Sequence, residues 1–165
     1  MVTPAAQSRA VFISVGHGLA PRHALLLRQM NAYLALQSVT PLVIERRAQQ
    51  ISDPVDAIRR LVNASAGTIV LATARYAATD VVEYPGGENA RALPMRITST
   101  VWNQIEAAMT LQCQHPLLIV CEASLTPDGV IDPSIHPLVM FANEEIGEQL
   151  PVSVEAALGD WLRRL

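Results

Sequence analysis

The chain has 165 residues, half of them apolar and 16% charged, which suits one folded domain with its own core and excludes a disordered polymer. The formal charge is −3 and every basic residue is arginine. These are scattered apart from the doublets Arg46-Arg47, Arg59-Arg60 and Arg163-Arg164, so no basic face calls for a nucleic-acid partner.

No apolar run approaches the roughly 18–20 residues that span a bilayer. The stretch from Met1 to Arg9 has no apolar signal core, so a cytoplasmic protein without a membrane partner is expected. Cys113 and Cys121, the only cysteines, lie in apolar sequence and read as two buried, reduced thiols.

Ala10-Val11-Phe12-Ile13-Ser14-Val15 is a short apolar, β-rich run that ends at Gly16-His17-Gly18, a buried strand followed by a turn. Pro21 suits the first turn of a helix, and Leu26, Met30, Tyr33, Leu34 and Gln37 then recur at helical spacing. Pro41 to Glu45 reads as a second strand. Asp53-Pro54 caps and opens a helix carrying Val55, Ile58, Leu61 and Val62, and Gly67 to Thr73 is a third strand.

The stretch from Ala74 to Thr98, holding Pro85-Gly86-Gly87, has no clear periodicity and reads as a long loop leaving the third strand's carboxyl end, placed to border or cover a site. Thr98-Ser99-Thr100 offers caps for a helix to about Gln112, whose Val101, Ile105, Ala108 and Gln112 share a face and predict its packing stripe. Pro116 to Cys121 is a fourth strand, Leu138 to Phe141 a short fifth, and Val154 to Leu165 a closing amphipathic helix with Leu158, Trp161 and Leu162. The alternation predicts one α/β domain spanning residues 1–165: a flavodoxin-like, open parallel sheet of about five strands with helices on both faces.

In such sheets ligands bind beyond the carboxyl ends of the strands. Gly16, His17 and Gly18 with Arg22 fit either a phosphate approaching backbone N–H groups or a plain tight turn. Neither the full dinucleotide fingerprint nor a P-loop is present. Arg75 and Tyr76, just past the third strand, are placed to contact ribose or phosphate, or simply to be solvated. His17, His23, His115 and His136 show no metal-ligand spacing, and no metal site follows. Trp102 and Glu106 lie four apart on one helix flank, where a carboxylate beside an indole is either partly desolvated and positioned or an ordinary surface residue.

Val11-Phe12-Ile13-Ser14 resembles the first strand of TIR (Toll/interleukin-1 receptor) domains, and Thr68-Ile69-Val70-Leu71-Ala72 resembles their central strand. Trp102-x-x-x-Glu106, followed by a small-residue helix and Pro116-Leu117-Leu118-Ile119-Val120, resembles the W-x-x-x-E segment of NAD-consuming TIR domains. The related nucleoside 2-deoxyribosyltransferases place a nucleophilic glutamate near the same point of a similar fold. The resemblance implies that Glu106 is the catalytic carboxylate of an enzyme cleaving the nicotinamide–ribose bond of NAD, with NAD as substrate and no bound cofactor. Trp102, Gly16, His17, Gly18, Arg22, Arg75 and Tyr76 would then be substrate contacts. A carboxylate suits that chemistry because ribosyl C–N cleavage passes through an oxocarbenium-like state. Deoxyribosyl transfer, or a non-catalytic module that senses a nucleotide or assembles with itself as a homo-oligomer, are the other functions the resemblance allows.

Overall fold

The computed structural model describes residues 9–44 and 53–165. Five strands form one parallel sheet: β1 (Arg9–Val15), β2 (Val39–Val43), β3 (Thr68–Ala72), β6 (Leu117–Glu122) and β7 (Val139–Phe141), in the order β2-β1-β3-β6-β7. Counting only these strands, the order is 2-1-3-4-5, that of the flavodoxin-like sheet, and it reverses between β1 and β3. Glu45, the predicted end of the second strand, and the Arg46-Arg47 doublet lie outside the described residues.

Strand alternation assigns side chains to the two faces. Val11, Ile13, Ile69, Leu71, Leu118 and Val120 meet α1 (Pro21–Leu36) and α4 (Val152–Leu162) through Leu26, Met30, Leu34, Val154, Leu158 and Trp161. On the other face Phe12 packs on Ile58 and Val62 of α2 (Pro54–Ala64), whose first turn is capped by the Asp53 carboxylate accepting from Asp56 N–H. Val70, Ala72, Ile119 and Cys121 surround Ala107 of α3 (Val101–Gln112). Among the described residues, no helix is long and apolar enough to cross a membrane.

Three expectations are corrected. Residues 74–98 hold an antiparallel hairpin, β4 (Tyr76–Glu83) and β5 (Arg91–Thr98), which forms a sheet of its own. It showed no periodicity because both of its faces are largely in solvent. Its ladder also skips a pair where Asp80, in the left-handed region at φ 56°, stands across from Pro94, which has no N–H.

Second, α3 does not pack through Val101, Ile105 and Ala108. Val101 is 68% exposed, and the buried row is Asn103, Glu106, Ala107 and Thr110. That mainly polar row faces polar groups of the sheet: Asn103 Nδ2 donates to Ser14 Oγ at 2.9 Å, and Thr110 and Thr68 share a hydroxyl hydrogen bond of 2.8 Å. Third, Cys113 is exposed just past α3. Cys121 alone is buried, and burial pushes its thiol up to about 11.

The approach of α4 to the sheet is set at Gly67, where a Cβ would lie 2.8 Å from both the Pro116 carbonyl oxygen and Trp161 Cζ2, and 2.9 Å from Leu165 Cδ2. Gly67→Ala is therefore expected to destabilise the fold by about 1–3 kcal/mol through overpacking. Urea unfolding will measure it, and an unchanged midpoint would show that α4 shifts freely.

Candidate active site

The switch point between β1 and β3 opens a cleft lined by Gly16, His17, Gly18, Leu19, Ala20, His23, Thr73, Ala74, Arg75, Thr100 and Asn103. Gly18 makes its turn at φ +68°, which a Cβ would disfavour. α1 and α3 both begin at the cleft. Neither carries an acidic residue in its first turn, whereas α2 carries Asp56 and α4 carries Glu155. The ends of two helix dipoles thus bring positive potential to the cleft, alongside Arg75.

The cleft is narrow, about 20 Å³, room for little more than a water. Arg75 closes it: its Nη1 donates to the His17 carbonyl at 2.6 Å, and its guanidinium lies 5.6 Å from the centre of the Tyr76 ring. On the far side of Tyr76 and Thr100 is a second cavity of about 160 Å³, reaching Gln104, Thr126 and Asp128. The hairpin leaves and re-enters the fold here, with Arg75 N–H donating to Thr98 O at 2.8 Å, Ile97 N–H donating to Thr126 Oγ1 at 3.0 Å, and Arg96 paired with Asp128. It borders the site, while most of its length stands out in solvent. A larger cavity, about 890 Å³, lies at the opposite end of the sheet, where Arg9 and Val39 begin β1 and β2. Among the described residues its lining holds no carboxylate, and it is far from the strands' carboxyl ends.

Of the residues singled out in the sequence, Gly16, His17, Gly18 and Arg75 line the cleft, and Tyr76 lines the adjoining cavity, 61% exposed. Arg22 turns from the cleft to donate to the Asn143 carbonyl at 2.9 Å. Trp102 packs with Phe12, Ile58 and Val62 between α2 and α3, because its position on α3 faces α2 and not the cleft. Glu106 is 3% exposed on the sheet-facing row of α3, one helical turn below Asn103, which lines the cleft.

A polar cluster at the cleft wall has no counterpart in the sequence reading. Glu122, the last residue of β6, is buried and accepts from Ala74 N–H at 2.7 Å, Ser124 Oγ at 2.8 Å and Asn143 Nδ2 at 2.8 Å. His23 Nε2 lies 3.3 Å from its Oε2 and 2.8 Å from Asn143 Oδ1. Burial, the largest influence, pushes the Glu122 carboxyl up, but the three donors and the nearby imidazole together hold it below the usual glutamate range.

The sequence matches no protein-family profile and no curated protein. Among solved structures, the CMP N-glycosidase BcmB of Clostridium botulinum superposes with a TM-score of 0.52 at 8% identity, covering 95% of this chain and 100% of that one. The flavodiiron core of Flv1 from Synechocystis gives a TM-score of 0.51 at 12% identity, covering 96% of this chain and 36% of that one. These likenesses show a shared fold, an open α/β sheet of flavodoxin-like order.

The lowered Glu122 carboxyl has a consequence for acid stability. The folded chain binds this proton more weakly than the unfolded chain, whose glutamates titrate near about 4.3. Its contribution is therefore fully present above that value and fades as pH falls through it toward the folded value. Glu122→Gln is expected to be less stable than wild type at pH 7 by about 1–3 kcal/mol, through a broken buried network. The gap should narrow on going from about pH 5 to pH 3 in urea unfolding. A gap independent of pH would contradict the assignment.

Proposed function

We propose that the chain cleaves the N-glycosidic bond of a nucleotide, with NAD the expected substrate and Glu106 the carboxylate that meets the developing ribosyl cation. The observation that carries this reading is the meeting of two helix N-termini, both without acid in their first turns, with Arg75 at the switch-point cleft. That arrangement suits a phosphate. A ribosyl phosphate seated there would reach toward the cavity beside Tyr76, whose exposed ring offers a face for a base.

The W-x-x-x-E resemblance to NAD-consuming TIR domains supports Glu106. So does its place one turn beneath the cleft floor, out of water, where a charge acts at low dielectric. The fold likeness to a CMP N-glycosidase agrees with the reaction class. For the reaction to proceed, Arg75 must release the His17 carbonyl and Asn103 must move aside, so substrate entry and bond cleavage are coupled to opening of the cleft.

The test is incubation of the purified chain with NAD and with CMP, with chromatography of nicotinamide and ADP-ribose from the first and of cytosine and ribose 5-phosphate from the second. Glu106→Gln keeps the shape and removes the charge, and is expected to lower turnover on the order of 10²–10³-fold. Its melting temperature is measured on the same sample, so that lost turnover is read against a retained fold. A variant as active as wild type removes Glu106 from the mechanism, and a wild type that releases no base from either nucleotide removes the glycosidase.

A further inference from the structure

We infer that His23 is the acid–base group of this cleft, a catalytic imidazole positioned by Glu122 and Asn143; the inference rests on the glycosidase reading above. The hydrogen bonds settle which nitrogen carries the proton. Asn143 Nδ2 donates to Glu122 Oε1 at 2.8 Å, so the amide oxygen is the atom that faces His23. His23 Nε2 therefore points at two acceptors, Asn143 Oδ1 at 2.8 Å and Glu122 Oε2 at 3.3 Å, and must be the protonated nitrogen.

That leaves Nδ1 as the basic nitrogen. It has no hydrogen-bond partner among the described residues and is not one of the fully enclosed unpaired atoms, and the residue itself lines the cleft. The ring has little freedom to turn. The Phe141 ring meets it edge-on at 6.3 Å and 78°, Arg22 pins the Asn143 backbone, and Ala74 N–H at Oε2 with Ser124 Oγ at Oε1 fixes the Glu122 carboxylate. A carboxylate and an amide thus orient an imidazole that lines the cleft and whose other nitrogen has no partner among the described residues, the arrangement a general base requires. The remaining ionisable groups around it are His17 and Arg75 on the cleft walls, Arg22 on its own helix, and Glu145 in the turn after β7, which accepts from Ala142 N–H.

The step balances as follows. The C1′–N bond breaks and its electron pair leaves with the base. A water oxygen bonds to C1′ as its proton passes to His23 Nδ1. The imidazolium then gives that proton to the departing nitrogen of a pyrimidine, or to solvent when neutral nicotinamide leaves. The products are cytosine and ribose 5-phosphate from CMP, or nicotinamide, ADP-ribose and a proton from NAD.

Two measurements on the full chain decide it. Long-range ¹H–¹⁵N NMR of histidine-labelled protein, with His23 assigned by loss of its signals in His23→Gln, is expected to show the Nε2–H tautomer at neutral pH. In the NAD and CMP assays, His23→Gln keeps a donor toward Glu122 and is expected to lower kcat about 10²-fold or more, with KM and melting temperature held. It should also lose the limb of the pH–rate profile that requires a deprotonated group. An Nδ1–H tautomer, or a variant with wild-type kcat and pH profile, overturns the proposal. A wild type inert on both nucleotides overturns it too, and an Nε2–H signal then lays the failure on the assigned reaction and not on the geometry of the histidine.

Discussion

One buried carboxylate ties the functional end of this molecule together. Glu122 closes the buried strand β6, and its two oxygens take hydrogen bonds from the backbone after β3, from its own loop and from the turn after β7, with α1 reaching it through His23. An ion placed there without partners would cost several kcal/mol. The elements that supply its donors are thereby held in one arrangement, and that arrangement forms the wall of the cleft. The loop carrying Arg75, the first turn of α1 and the turn carrying Asn143 are positioned by the same group.

The opposite wall is built on a second polar contact surface. The helix between the hairpin and β6 meets the sheet through Asn103, Glu106 and Thr110, where a conventional amphipathic helix would present leucines. The apolar Val101 is left in solvent. Such a seam gains less from area burial than from satisfied hydrogen bonds. The guanidinium of Arg75 spans the gap between the two walls and holds it nearly shut.

The parallel sheet was readable in the sequence because buried strands are continuous apolar runs, as Val11 to Ile13, Ile69 to Ala72 and Leu117 to Cys121 show. The hairpin was not, since a ribbon with two wet faces has no alternation to detect. The buried side of α3 was misread because apolar spacing marks a helix face only when the partner surface is apolar. Gly16 to Gly18 and Arg75 follow from the rule that strand ends carry sites. The Glu122–His23–Asn143 cluster joins residues up to 120 positions apart, and no spacing connects them. The one local signal was a glutamate ending a run of buried apolar residues.

The central claim, that a nucleotide's phosphate binds at the switch point between β1 and β3, is tested most directly by following backbone amide NMR signals during titration with ribose 5-phosphate. The account predicts saturable shifts at Gly16, His17, Gly18, Ala74 and Arg75, and at the first turn of α3. Shifts confined to Arg9, Ser38, Val39 and Gly159 around the large cavity at the other end of the sheet, or no shifts at millimolar ligand, would contradict it.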